Sequence, residues 1–295
     1  LNGSSFWQSS SWAGTAAAGI EDFLVEEGGR LGEVYGYKTD GFYTADDFTF
    51  DAEKGTYALK AGVNDCSSLI GGKVYPGSIK LKANEDGEYK KERLGNTVPT
   101  VSGGFGLNAR WKGFDFTAFF NYSLGNKIVN ATKLGSSFYS GSSKNWNIND
   151  HFTSANRYSW IDPSTGTNLL SSASIKANGE AWTINRLNEI NSNASIWNPA
   201  AATVMPLVDW AVEDGSFLRV NNITIGYTLP KLLVNKLNIQ NIRIYVTGYN
   251  LHCFTKYSGT DPEVDCCTST PMTPGIDYAA YPKSRSFVGG INVTF

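Results

Sequence analysis

Three groups of residues in this chain have the types and spacing to do chemistry. The first is acidic: Asp261, Glu263 and Asp265 lie within five residues, close in sequence to Cys266 and His252. Paired carboxylates beside a histidine can serve general acid–base catalysis, provided some element aims a nucleophile and orients the base. No such element is legible here, and closely spaced loop acids most often cap turns or face solvent, so no catalytic residue is assigned. The second group is the four cysteines, Cys66, Cys253, Cys266 and Cys267. None forms a Cys-x-x-Cys pair and only His151 and His252 could join them, which is a poor donor set for zinc, so no metal site is assigned. Four cysteines allow three pairings, which spacing alone does not choose between. The third group is aromatic: the polar stretch 131–216 carries Trp146, Trp160, Trp182, Trp197 and Trp210. Tryptophans in a long loop can offer flat apolar faces to a ligand, and Trp146, Trp160, Trp182 and Trp197 are the candidate substrate-binding residues. Long loops also fold on themselves and bury such side chains.

The elements that must position these groups read as β-strands. From Ser284 to the C-terminus, Phe287, Gly289, Ile291, Val293 and Phe295 fall on one face, with Ser286, Val288, Gly290, Asn292 and Thr294 on the other. Val101–Trp111 and Phe114–Ser123 alternate in the same way on either side of Lys112-Gly113, an X-Gly pair that predicts a two-residue hairpin turn. That turn sets Trp111 opposite Phe114, Arg110 opposite Asp115 and Gly106 opposite Phe119. Phe217–Leu229 and Asn241–Leu251 alternate again. A connector at 230–241 carries an amphipathic helical turn with Leu232, Leu233 and Leu237. A further strand is expected about Glu33–Lys38. Residues 1–28 read as loop with one strand, and 45–97 as polar segments around the turn Tyr75-Pro76-Gly77.

Composition narrows the class. A formal net charge of −2 argues against the electrostatic footprint of a nucleic-acid binder. There is no run of 18 apolar residues, so no helix can span a bilayer. Thirty-one glycines with 15 tyrosines and 16 phenylalanines suit a β-rich chain with tight turns. Strands of nine to eleven alternating residues are what a tilted membrane strand requires. Connections that alternate between short (112–113, 230–241) and long (131–216, 256–283) are the habit of outer-membrane barrels, with short turns at the periplasmic end and long loops outside. The reading is all-β: an antiparallel transmembrane barrel portion of about six to eight strands. The alternative is a soluble carbohydrate-binding β-sandwich, in which the apolar faces would cover a core.

Asp214-Gly215-Ser216-Phe217-Leu218-Arg219-Val220-Asn221-Asn222-Ile223-Thr224-Ile225-Gly226-Tyr227-Thr228-Leu229-Pro230 resembles the SusC/RagA family of TonB-linked (TonB-dependent) outer-membrane transporters. The resemblance continues through Arg243–Leu251, Thr255-Lys256-Tyr257, Asp261-Pro262-Glu263-Val264, Gly275-Ile276-Asp277-Tyr278, Tyr281-Pro282 and the closing Asn292-Val293-Thr294-Phe295. Upstream, Tyr35–Gly41 and Lys112-Gly113-Phe114-Asp115 also match. The resemblance implies that residues 1–295 are the C-terminal part of a 22-stranded barrel, whose plug and first strands lie before Leu1. It implies nutrient import of oligosaccharides or oligopeptides, a SusD-like surface lipoprotein as lid, energising by the TonB complex, and a dimer of transporter–lipoprotein pairs. It implies no enzyme activity, no cofactor and no nucleic-acid partner. Where the family carries an acidic calcium-loop-like run, this chain has Lys82-Ala83-Asn84-Glu85-Asp86-Gly87-Glu88, without the first aspartate, and no metal is expected. In the oxidising space outside that membrane, Cys253 is expected to pair with Cys266 or Cys267.

Overall fold

The computed structural model describes residues 6–9, 21–26, 28–139, 147–234, 239–263, 273–278 and 281–295. The chain divides into two compact units, one drawn from 28–33, 95–129 and 213–295, the other from 1–27, 34–94 and 130–212.

The first unit is built on five long strands, β1 (Val101–Trp111), β2 (Phe114–Leu124), β3 (Phe217–Thr228), β4 (Asn241–Thr255) and β5 (Ser286–Thr294). They form one sheet in chain order, each antiparallel to the next. The β1–β2 turn has φ of 46° at Lys112 and 89° at Gly113, the positive pair that a tight two-residue hairpin demands. Trp111 faces Phe114, Arg110 faces Asp115 and Gly106 faces Phe119, the register expected from the spacing. Among the described residues this sheet has five long strands, and the first 97 residues contribute short strands, most of them to the other unit.

Alternation sorts the sheet into two faces. Successive rows of one face run Trp111–Phe114–Tyr227–Ile244–Ile291, then Ala109–Phe116–Ile225–Val246–Gly289, then Leu107–Ala118–Ile223–Gly248–Phe287. Most of its large side chains are exposed, Trp111 at 67%, Phe287 at 69% and Ile291 at 65% among them. A contiguous apolar surface of this kind is rare on a soluble monomer. A β-sandwich would bury it beneath a second sheet, at roughly 1.5–3 kcal/mol per large side chain. The opposite face is polar, with the row Arg110–Asp115–Gly226–Tyr245–Gly290 nearest the turn.

Two irregularities keep the faces aligned along the whole sheet. Between Asn222 and Val220, β3 inserts Asn221 opposite the Phe119–Phe120 step of β2. Beside it, β4 passes from Tyr249 to His252 through Asn250, whose φ is 51°. A bulge changes the parity of its strand, so above it the apolar set becomes Val220 and Leu218 rather than Ile223 and Ile225. The bulge also lets β4 run on to Thr255, four residues beyond the expected end. At the short-turn end, the helical turn Lys231–Val234 is present, but Leu232 and Leu233 are exposed and Val234 is the buried residue. Leu237 lies outside the described residues.

The second unit is a compact body, although much of it reads as loop. Phe6–Ser9, Glu21–Val25, Glu33–Gly36 and Glu92–Asn96 form a four-stranded sheet, so the N-terminal segment supplies two strands rather than one. Its interior holds Tyr43, Phe48, Ile70, Ile79, Leu81, Tyr158, Ile175 and Leu187, all fully buried. The stretch 131–216 contains α1 (Ser172–Ile190), whose first turn is capped by the Ser171 hydroxyl accepting from Ser174 N–H. Gly179, at φ 76° and ψ 175°, breaks α1 into two helical pieces. Glu180 accepts from Phe50 N–H at 3.0 Å and Asn188 donates to Asp46 at 2.9 Å, docking the second piece on the 45–51 segment.

Candidate functional site: an ion-paired sheet end and a tryptophan cleft

At the long-loop end of the sheet, the polar face gathers the acids singled out in the sequence. Arg219 of β3 is 5% exposed and donates from Nη2 to Asp261 Oδ1 at 2.5 Å. Its Nε lies 2.6 Å from Glu263 Oε2, an ion-pair contact out of line for a hydrogen bond. Lys283 Nζ reaches the same Glu263 oxygen at 2.8 Å, and Asn121 donates to Oε1 at 3.2 Å. Glu263 N–H closes onto Asp261 Oδ1 at 2.9 Å. These carboxylates are therefore spent on cations and turn closure. His252 pairs with Val220 on the opposite, apolar face, so it does not approach them as a base. Asp265, Cys266 and Cys267 lie outside the described residues. Among the described residues Cys253, opposite Arg219, carries no disulfide.

A second buried pair sits nearby. Tyr257 Oη donates to Asp277 Oδ2 at 2.6 Å, with Tyr257 6% and Asp277 4% exposed. Burial, then the adjacent carboxylate, pushes the Tyr257 phenol far above its ordinary range, so it stays a donor. Arg219, Tyr257, Asp261, Glu263 and Asp277 all belong to the stretches that carry the family resemblance, and their role here is to tie the last loop to the sheet. Their place in those stretches was the one sequence signal for this network, since the acids lie beyond β4, 42 residues from Arg219.

Toward the turn, Asp115 of β2 and Arg243 of β4 form a two-pronged ion pair, Nε to Oδ1 at 2.8 Å and Nη2 to Oδ2 at 2.5 Å. The pair crosses β3 directly above Gly226, where a Cβ would come within 2.5 Å of both partners. The register neighbour Arg110 is not the hydrogen-bonded partner, because Arg243 reaches over the glycine with a better fork. Arg243 also stacks on the Tyr245 ring at 5.0 Å.

The tryptophans of the other unit are placed differently from one another. Trp197 is 4% exposed, packs edge-on to Phe152 and Trp210, and donates Nε1 to Ser137 O at 3.1 Å. It is an interior packing residue. Trp160 is half-buried, donates to Pro76 O at 2.6 Å and lies 5.5 Å from Tyr75. Trp146 lies outside the described residues. Trp182, on α1 just past the Gly179 break, is 43% exposed and lines a cleft of about 450 Å³ with Asp162, Thr165, Thr167, Asn178 and Arg186. Arg186 forks onto Asp162 at 2.7 and 2.8 Å and also bonds Glu189 at 2.7 Å and Ser164 Oγ at 3.1 Å. These hydrogen bonds hold the Asp162 carboxyl well below the usual carboxylate range and raise the guanidinium. Loop 82–88 is closed by its own amide, Asn84 Oδ1 accepting from Asp86 N–H at 3.1 Å and Glu88 N–H at 2.8 Å. Glu88 pairs with Lys90 at 2.8 Å.

No family model matches the chain. It is similar to TonB-dependent receptor P3 of Formosa agariphila, 29% identical over 277 residues, covering 92% of this chain and 23% of that protein. TonB-dependent receptor P39 of the same organism is 26% identical, covering 92% of this chain and 26% of that protein. TonB-dependent receptor SusC of Bacteroides thetaiotaomicron is 34% identical over 89 residues, 30% of this chain and 8% of that protein. Among solved structures, the RagAB peptide importer in its closed-closed state matches with a TM-score of 0.56 and 21% identity, over 93% of this chain and 24% of that one. The chain thus spans about a quarter of the length of the relatives it matches. Along nearly its whole length the chain is thus similar to TonB-dependent receptors, and its antiparallel strands match the RagAB fold.

Proposed function

We propose that residues 1–295 form part of the wall and loops of an outer-membrane β-barrel importer of a Gram-negative bacterium. The remaining strands and the plug come from outside this chain. The observation that carries the reading is the five-stranded meander, with one face apolar and exposed and the other polar, glycine-bearing and ion-paired. Eleven residues at about 3.3 Å each, tilted by about 40°, project to about 28 Å, enough to cross an outer-membrane apolar band of about 25 Å. Trp111, Phe114 and Tyr227 stand in one row beside the short turn, where an interfacial aromatic girdle belongs. The cargo is an oligosaccharide or oligopeptide, captured with a SusD-like surface lipoprotein and imported with energy from the TonB complex. Likeness to RagAB, described as a peptide importer, and to SusC supports this. The mechanism is binding and release, with no bond chemistry assigned to any residue. Membrane fractionation tests the placement: the intact protein should leave outer membranes with detergent and stay through high salt and carbonate. Release by salt alone refutes it. Growth of a deletion strain on a panel of glycans and peptides should show loss on one substrate group, and growth unchanged on all refutes the import role.

A further inference from the structure

The cleft beside Trp182 has the chemistry of a ligand site, and its charges indicate which ligand. Among its described lining residues the only cation, Arg186, is held by Asp162, Glu189 and Ser164 through four hydrogen bonds, and Asp162 is 3% exposed. Arg186 and Asp162 thereby neutralise one another at the cleft floor, and the exposed Glu189 carboxylate shares the same guanidinium. A charged ligand would have to break that fork, at the cost of leaving a buried ion without its partner. Around the fork stand uncharged donors and acceptors: the hydroxyls of Thr165 and Thr167, and Asn178, whose amide nitrogen is anchored to Ser174 O at 2.9 Å. Anchoring the nitrogen fixes which way the Asn178 carbonyl oxygen is presented. Trp182 closes the set with a large exposed ring that stacks on no other aromatic among the described residues. The break at Gly179 sits between Asn178 and Trp182 and sets their mutual placement apart from that of a continuous helix.

A flat apolar ring beside neutral hydroxyl and amide groups matches a pyranose, which has C–H faces and a rim of hydroxyls. A peptide would offer termini or side-chain charges to a cleft whose own charges are already satisfied. We propose that the Trp182 cleft is a saccharide subsite for one neutral sugar unit, with Trp182 as stacking platform and Asn178, Thr165 and Thr167 as hydroxyl partners. The proposal rests on the import reading and narrows its cargo to an uncharged glycan.

The test uses the intact transporter purified in detergent. Wild type, Trp182→Ala, Trp182→Phe and Asn178→Ala are applied to an array of neutral oligosaccharides, uronate-containing oligosaccharides and short peptides, with titration of every hit. Expected is binding of a neutral glycan that weakens at least tenfold in Trp182→Ala, less in Trp182→Phe and severalfold in Asn178→Ala, with the heat-modifiable barrel unchanged. Absence of any Trp182-dependent neutral glycan overturns the proposal, as does Trp182-dependent binding of peptides or uronates alone. Should Trp182→Ala prove unstable, Trp182→Phe together with Asn178→Ala decides it, and unchanged affinity in both overturns it. Loss of the subsite with the protein still extracted only by detergent removes this inference and leaves the import reading standing. Salt-extractable protein that still binds the glycan does the reverse.

Discussion

Replacing Arg219 with methionine should release the last loop from the sheet while leaving the strands paired. The substitution keeps most of the side chain's length and apolar stem but removes the charge that Asp261 meets at 2.5 Å and Glu263 at 2.6 Å. Breaking a buried ion pair by deleting one partner costs about 3–5 kcal/mol, since the other charge stays buried alone. Glu263 keeps Lys283 at 2.8 Å, which takes the expected cost to the lower end, about 3 kcal/mol. A cost of that size shifts the local opening equilibrium by on the order of a hundredfold. Hydrogen exchange of the intact protein, read by mass spectrometry, should show faster exchange in the peptides covering 257–263 and 281–285. The amides of Glu263 and Lys283, which donate to Asp261, are the direct reporters. Strands β1 to β3 should keep their protection. Arg219→Lys, able to reach one carboxylate but not fork across two, should lie between. Protection unchanged in Arg219→Met, or lost evenly through the sheet, would refute the account of these residues as a loop tether.

Ile225→Arg, on the apolar face at 55% exposure, should destabilise the barrel by about 2–4 kcal/mol if the residue meets lipid near the midplane, read as a lower heat-modification temperature. A neutral or stabilising result would mean that face meets water. Gly226→Ala should push the Asp115–Arg243 fork aside, since the new Cβ would lie 2.5 Å from both partners; with the pair about a quarter exposed, the loss is about 1 kcal/mol. Its effect should largely vanish in an Asp115→Asn background, and full additivity would refute the coupling. Because the Asp162 carboxyl is held below its unfolded value, the Arg186 fork contributes stability above about pH 4 that is lost as pH falls through the lower folded value. Acid unfolding followed by tryptophan fluorescence should therefore begin at higher pH in Arg186→Gln than in wild type; coincident curves would dismiss the fork as a stabilising element.

The sheet was legible because it obeys a period of two and little else. The Lys112-Gly113 register follows residue by residue from one turn, and the faces from alternation. The pattern failed at Asn221 and Asn250, where bulges change parity. That is why β4 continues to Thr255 beyond the point where its alternation breaks. Helix α1 was invisible for another reason. Its buried side includes Ser174 and Thr183 beside Ile175 and Leu187, and Gly179 interrupts it, so no apolar period of 3.6 exists to be read. The tryptophans show the limit of residue type as a guide to ligand contact. Trp182 and Trp197 belong to one polar stretch, yet one lines a cleft and the other packs inside, decided by neighbours far away in sequence. Arg219 was legible only as part of a resemblance, since its partners lie in a loop 42 residues on.

The polar face of the sheet is paved. Gly290 lies beneath the Tyr245 ring, Gly104 beneath that of Phe119, and Gly226 beneath the Asp115–Arg243 fork. Each bulky group is laid flat along its neighbour's bare backbone instead of standing upright. In the proposed barrel this would be an economy of bore, the wall carrying aromatic and charged chemistry at little more than backbone thickness. Small increments at these glycines would act like scale in a pipe, lifting rings and charges toward the axis. The width of the passage would then be set by residues that contribute no side chain at all.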